Sequence, residues 1–538
     1  MLVIFIAIIF LVNLFLEPTL RNKLHTLIIE GSDSLYTYNL GRLKADFFGG
    51  DVEVQNLQIN IDSNHYKILK QKNELPALTM QLSLQNGHIK GVGLISILFG
   101  KKINIEEIMT SQANIRLSRH IRKKETAKDH PPLWQAIRPA IKAIFIKHIK
   151  LDGVKLLYKN ADTSESVKLQ FDRFDAAVDD VQIDSTAAQD TARIAFAKNI
   201  FFKFHDVKFR TQDSSYKMKA GWITYASRTK TIEMDSFKLQ PTLEKNEFYT
   251  YYGVQASLYY VELNKIKFIN THIDRFIKNN IIDADSVLLQ QPKFSVYLDK
   301  TQERLFKSKI GSFPHQKLLR SQSIIRIKNI IAQSASVQYT EKNAGTGHEG
   351  TLDLQELNIA VRNATNDSAW IRRNHVCTVR ANGKILGGSP ITASFKFYLD
   401  SANGRFDVEG TIKNVTAAQL NSLAVPLANT QIPSFDLQSL SFKVQAEDFI
   451  AQANVHMRYN NLSVTLRKTD EKTGATVTRK FITKLLNRYV IRSSNPGPDG
   501  VEIIAENVQY SRLTTQSFFG LIWKAVFAGM QNIIMRSG

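Results

Sequence analysis

INIEEIMTSQANIRL, residues Ile103 to Leu117, sets apolar side chains at Ile103, Ile105, Ile108, Ala113, Ile115 and Leu117. The same spacing returns at Ile144, Ile146, Ile149, Val154, Leu156 and Tyr158. It returns again at Ile282, Ala284, Val287, Pro292, Phe294 and Val296, and at Ile325, Ile327, Ile330, Ala335, Val337 and Tyr339. Side chains two apart on a strand share a face, so this pattern reads as β-structure with one apolar and one polar side. Each copy reads as a hairpin: a short strand, a tight connection and a second strand. The copies fall into two pairs, starting at 103 and 144 and at 282 and 325, which points to duplication.

Outward from these copies the period stays near two, from the Gly49-Gly50 turn to about residue 510. Helical spacing is rare. Thr19 to Glu30 carries Leu20, Leu24, Leu27 and Ile28 on one face. Pro132 to Lys147 opens on proline and should kink at Pro139. Leu318-Leu319 and Ala417 to Leu427 suit short caps, and Arg479 to Val490 follows a polar stretch at Glu471 to Thr478. Ser493 to Gly500 is the clearest loop.

Both ends are apolar. Met1 to Leu16 is broken only by Asn13 and stops at Glu17-Pro18, near the lower limit of ~17 residues for a bilayer span. It lacks a basic flank and a small-x-small cleavage site, so an uncleaved single-pass anchor is expected. Arg21 and Lys23 after it, taken alone, would orient it the other way. At the other end Phe519, Ile522, Trp523, Val526, Met530 and Ile533 line one helical stripe. Such a helix suits a membrane surface, the cap of an open sheet, or a partner.

Bulk composition narrows the partners. The 538 residues carry a net charge of +21, with 43% apolar and 22% charged residues. That excess of cations seeks anionic lipid or nucleic acid. Nucleic-acid binders gather Lys and Arg in a stripe. Here they stand singly between apolar residues, as in IKHIKLDGVKLLYKN (Ile146 to Asn160), and Arg122-Lys123-Lys124 is the one short run. Nucleic acid is therefore not the expected partner; a phospholipid membrane is.

Reactive constellations are missing from the sequence. Twelve histidines include no H-E-x-x-H, and there is no C-x-x-C, G-x-S-x-G or Walker loop. GTGHEG at Gly345 to Gly350 fits G-x-G-x-x-G, but the alternating TLDLQELNIAV that follows makes it a hairpin loop. GKILGGS, Gly383 to Ser389, reads as a turn. Asp172, Asp175, Asp179, Asp180 and Asp184, and the pair Asp283 and Asp285, suit polar strand faces better than a cation site. Cys377 is alone and reads as a small buried apolar residue. No catalysis, cofactor or metal is expected.

Three features together resemble the AsmA-like family. They are the N-terminal anchor with its short helix and GGDVEVQNLQIN strand (Gly49 to Asn60), the recurring I-x-I-x-x-I…A-x-V-x-Y unit, and the block from residue 410 to 464 closing on Arg458, Tyr459, Asn461 and Leu462. SFFGLIWKAVFAGMQNI (Ser517 to Ile533) resembles the membrane-proximal end of such proteins, while residues 160 to 280 match no family pattern. The resemblance implies a bacterial inner-membrane protein with its bulk in the periplasm. It implies phospholipid transport for outer-membrane homeostasis, with an assembly scaffold for an envelope partner as the alternative. The expected fold is mainly β: an elongated, curled antiparallel sheet forming a taco-like groove, with an N-terminal transmembrane helix, a few short helices and a C-terminal amphipathic helix. The layout expected is an anchor (1–18), an N-terminal AsmA-like region (19–160), central groove repeats (161–400), a C-terminal AsmA-like region (401–515) and the helix (516–538). The expected groove residues are Ile103, Ile105, Ile115, Ile144, Ile146, Leu156, Val287, Phe294, Val296, Ile325, Ile327 and Val337.

Overall fold

The computed structural model describes residues 25–46, 50–92, 102–120, 142–160, 167–469, 476–478 and 486–536, except 27, 73, 77, 188, 195 and 212. The 1–18 anchor, residues 19–24, the Arg122 to Lys124 run, residues 132–141 and residues 479–485 lie outside them. The fold is mainly β, with 60% of the described residues in strands. The chain forms two compact units, Met1–Ser236 and Phe237–Gly538. That division falls inside the expected 161–400 region.

The first unit begins with an antiparallel meander: β1 (Tyr36–Asp46), β2 (Asp51–Ile61), β3 (Leu78–Lys90) and β4 (Lys102–Arg119). A short helix, α1 (Ser63–Lys72), interrupts it. β5 (Ala143–Asn160) then lies parallel to β4. A parallel neighbour needs a crossover of a dozen or more residues, which accounts for the long connection between Arg119 and Ala143. The end of the expected 132–147 helix is strand: Ala143 to Lys147 belong to β5, where Ile144 and Ile146 pair with β4. The meander resumes antiparallel through β6 (Val167–Ile183), β7 (Ala197–Arg210) and β8 (Tyr216–Ala226). β9 (Thr231–Pro241) carries the chain into the second unit.

In the second unit, after the helix α2 (Lys245–Tyr252), β10 (Ser257–Ile269) pairs antiparallel with two short strands in line, β11 (Ile281–Gln290) and β12 (Lys293–Asp299). The helix α3 (Ile273–Asn279) precedes them. After α4 (Pro314–Leu319), both short strands run parallel to β13 (Ile324–Lys342). An antiparallel run follows: β14 (Glu349–Thr365), the helix α5 (Ser368–Arg373), then β15 (Val376–Ile385), β16 (Ser389–Tyr398) and β17 (Phe406–Thr416). The helix α6 (Ala417–Ala428), capped by Thr416 and Gln419, leads to β18 (Thr430–Ala446) and β19 (Ile450–Thr469). β20 (Thr476–Thr478) and β21 (Ile504–Ser511) pair with β19, and α7 (Phe518–Ile534) closes the unit. Of the expected Arg479 to Val490 helix, the described part, Leu486–Val490, is a single π-turn. Gly345 to His348 lie in the β13–β14 hairpin loop, and Glu349 and Gly350 open β14.

Two sequence expectations are corrected here. The sheets are mixed, not antiparallel, because the repeat copies are parallel partners. Ile103 faces Ile144, Ile105 faces Ile146, Ile115 faces Leu156 and Leu117 faces Tyr158. Likewise Ile282 faces Ile325, Ala284 faces Ile327, Phe294 faces Val337 and Val296 faces Tyr339. The copies are also not hairpins. At the tight connection one residue turns left-handed and the chain carries on in the same direction. That residue is Gln112 (φ 55°), Gly153 (φ 66°), Gln291 (φ 47°) or Ser334 (φ 51°), the same place in all four copies. It acts like a β-bulge in shifting which side chains face the core, and register slips at it against β6 (Leu151/Val154) and β14 (Ala332/Ala335) while β3 and β10 stay in register. Both members of a pair bulge together, so parallel register is unbroken, with Ser111 on Asp152 before the bulge and Asn114 on Lys155 after it. Asp152-Gly153 looks like a two-residue hairpin turn. A type I′ turn there would need both residues left-handed, and only Gly153 is.

The best-closed core lies in the second unit. Phe406, Val444, Val455, Met457 and Tyr459 are fully buried beneath Leu521, Ala525 and Ile533 of α7. The helix can lie this close because of Gly529, where a Cβ would come within 2.5 Å of Val455 Cγ2.

Candidate lipid-binding face

The bulge divides each repeat copy into a covered and an open half. Before it, Ile103, Ile105, Ile144 and Ile146 are at most 3% exposed, and Val287 and Ile327 are also buried. Ile325, at the outer end of β13, is half-buried. Directly after the bulge Ala113, Val154, Pro292 and Ala335 are buried as well. Beyond them cover is lost. Ile115, Leu156, Val296 and Val337 are only half-buried, and Phe294 is 37% exposed. Eleven of the twelve candidates therefore fall into two sets, with half-buried Ile325 in neither. Ile103, Ile105, Ile144, Ile146, Val287 and Ile327 are buried in the core. The open set is Ile115, Leu156, Phe294, Val296 and Val337.

Within the first unit the open set extends across the strands. Met80 pairs with Leu117, Leu117 with Tyr158, Tyr158 with Leu169, Leu169 with Phe209, and Phe209 with Met218. Directly paired residues project to the same side, so this is one apolar row over six strands, β3 to β8. None of the six is buried, and Phe209 is 44% exposed. Ile115 and Leu156 lie two residues inward on the same face, followed by Phe171. Phe171, Phe174 and Phe204 continue the surface as an aromatic cluster, with ring centroids 4.6 to 5.8 Å apart.

The second unit repeats the arrangement on its own strands. Val261, Phe294, Val337, Leu354 and Ile385 form one paired row over β10 and β12 to β15, and only Ile385 is buried. Tyr259, Val296, Tyr339 and Leu352 form the next row outward. On the other face Lys245, Lys293, Tyr260 and Tyr297 border an open cleft of about 400 Å³. Lys245 there sits 4.3 Å from the Tyr297 ring centroid and 3.2 Å from Glu349, and Val296 of the open row also lines the cleft.

Of the acidic residues singled out above, Asp184 accepts hydrogen bonds from Gln182, Thr186 and Ala187, and the others are engaged in ion pairs. Arg173 bridges Asp175 and Asp152 at 2.9 and 2.8 Å. Lys208 lies 3.5 Å from Asp172, and His148 lies 3.0 Å from Asp179. Lys198 and Arg193 bind Asp180 and hold its carboxyl below the usual range. Asp283 binds Arg275, and Asp285 binds Lys328 at 2.6 Å. Among the described residues no group of three His, Cys, Asp or Glu is placed to hold a metal. Cys377 is buried, which pushes its thiol up to about 11 and keeps it unreactive.

The C-terminal stripe also divides. Ile522, Val526 and Ile533 are buried in the core over β19 and β21, and Met530 is half-buried against it, so these four cap the sheet. Phe519 and Trp523 remain exposed at 71% and 54%. Among the described residues no helix is long and apolar enough to cross a membrane.

Sequence reading missed Met80, Leu169, Phe209 and Met218, and the Phe171, Phe174 and Phe204 cluster. Most of these lie between residues 160 and 280, where no recurring unit guided the eye. The alternation in VKLQF (Val167 to Phe171) and in VKFR (Val207 to Arg210) was the available signal. No protein-family model matches the chain, and no curated protein matches it.

Proposed function

We propose that the chain is a membrane-anchored lipid carrier that holds phospholipid acyl chains on the open apolar rows of its β-sheets. The observation behind this reading is the six-strand row from Met80 to Met218, apolar throughout and nowhere buried. An apolar sheet face demands a second layer of protein or a ligand. Acyl chains suit a surface that is broad, uniform and without directional polar groups. Each CH₂ removed from water contributes ~0.8 kcal/mol, so two chains bind well, and a uniform face opposes sliding weakly. The chain works as a carrier and not as a catalyst, with no cofactor. Its resemblance to AsmA-like proteins assigns it to the inner membrane, with its bulk in the periplasm, serving outer-membrane homeostasis.

A scaffold for envelope assembly is the second reading. It is favoured by the closed halves of the repeats, where Ile103, Ile105, Ile144 and Ile146 are packed dry. Photocrosslinking in the intact envelope separates the two. A photoreactive residue at Leu156, Val296 or Phe209 should yield phospholipid adducts, while one at exposed Lys155 should not. Protein adducts alone at all three positions would move the assignment to the scaffold.

A further inference from the structure

A different surface of the second unit combines exposed aromatic residues with uncompensated positive charge. The loop after β12 lies beside the start of α7: Lys309 N donates to the Thr514 carbonyl at 2.7 Å, and Arg304 Nη2 donates to Thr515 Oγ1 at 2.6 Å. The side chains that the two segments turn outward are large and apolar. Leu305 is 58% exposed, Phe306 84%, Leu513 65%, Phe519 71% and Trp523 54%. Isolated exposed apolar residues are ordinary, but five on two hydrogen-bonded segments form a patch of the kind that marks an interaction site.

The charge around the patch has one sign. Residues 300 to 320 contain Lys300, Arg304, Lys307, Lys309, Lys317 and Arg320 against Glu303 alone, and residues 512 to 538 contain three Lys or Arg and no acid. Two cations have acidic partners, Arg512 with Asp448 and Lys300 with Glu341. Around Lys309 the balance stays positive: desolvation, then Arg304, Lys317, Arg512 and Lys300, all push its ammonium pKa down. A cation so placed gains from any anion that approaches.

We infer that this surface docks onto an anionic phospholipid bilayer, with Phe306, Leu513, Phe519 and Trp523 entering the interface and Arg304, Lys307 and Lys309 meeting lipid phosphates. Aromatic and aliphatic side chains ringed by Lys and Arg suit the head-group boundary, where rings bury and cations remain wet. The firm backing needed for insertion is present, since α7 is fixed to the core by Leu521 and Ala525, both 0% exposed. This docking does not depend on acyl chains occupying the open rows.

The test uses the full chain with Cys377→Ala and a fluorophore on Phe306→Cys or, separately, Phe519→Cys. Vesicles carry brominated acyl chains, either in phosphatidylcholine alone or in an equal mixture with phosphatidylglycerol. Quenching at both positions is expected on the mixed vesicles, weakened by salt. Arg304→Glu with Lys307→Glu should reduce vesicle affinity at these labels about tenfold or more. A label at Asn13→Cys reports the N-terminal segment independently. Quenching at Asn13 with none at 306 or 519 overturns the proposal, as does equal quenching on pure phosphatidylcholine. Either of these results leaves the lipid-carrier reading untouched, because crosslinking at Leu156 and Phe209 tests that separately.

Discussion

The left-handed residue in each repeat copy shows how much single positions decide. Three of the four are not glycine, and a side chain in that conformation costs about 1–2 kcal/mol. Gln112→Gly or Ser334→Gly should therefore raise the denaturation midpoint by the equivalent of roughly 0.5–1 kcal/mol, and Gly153→Val should lower it by about 2 kcal/mol. His315 offers a second test. It is 3% exposed, between Phe313 and Phe397, and neither ring nitrogen has a hydrogen-bond partner. Burial pushes its pKa down to about 4, against weaker opposing pulls from the Gly404 backbone and Asp448. The unfolded chain takes up this proton first, near pH 6.5, so stability is complete above that pH. It falls by about 3 kcal/mol as pH drops from 6.5 to 4. Denaturant titrations at pH 7 and pH 4.5 should show that loss, and His315→Phe should remove this histidine's share of it.

At the scale of elements, α7 is held by shape and by one buried ion pair. Arg512 is fully buried and binds Asp448 Oδ1 at 3.2 Å, the Asp448 and Lys309 carbonyls, and the Gln516 carbonyl. It thereby ties the β18–β19 turn, the loop after β12 and the start of α7 together. Arg512→Met leaves Asp448 buried without its charge partner and should cost about 3–5 kcal/mol, read from thermal unfolding. Gly529→Ala would press a methyl against Val455 and should cost roughly 1–3 kcal/mol, with altered protease sensitivity at α7. Arg512→Met tests charge pairing and Gly529→Ala tests close packing.

For the molecule as a whole, the two halves of each repeat should respond differently to the same chemistry. Ile146 is 1% exposed, so Ile146→Asp buries an unpaired carboxylate and should unfold the first unit, a cost of several kcal/mol. Leu156 is half-buried on the same strand, ten residues on. Leu156→Asp should keep the far-UV circular dichroism of the parent protein and lose phospholipid crosslinking. Equal loss of fold in both variants would mean that the row is closed in solution, and would count against acyl-chain binding.

The sequence alone determined the β-character of the chain, the apolar positions of each copy and the pairing of the copies by spacing, because alternation is a local property of a strand. It marked α6 as a short helical segment and α7 through its apolar stripe. The tertiary structure decided what lies opposite each strand. Ile103 and Ile115 are equally apolar and equally spaced, yet one is buried and the other is open. Parallel pairing was likewise invisible, because hydrogen bonds between distant strands leave no trace in local periodicity. A bulge and a hairpin turn begin with the same left-handed residue, and only the next residue's backbone and the partner strand decide whether the chain reverses or runs on.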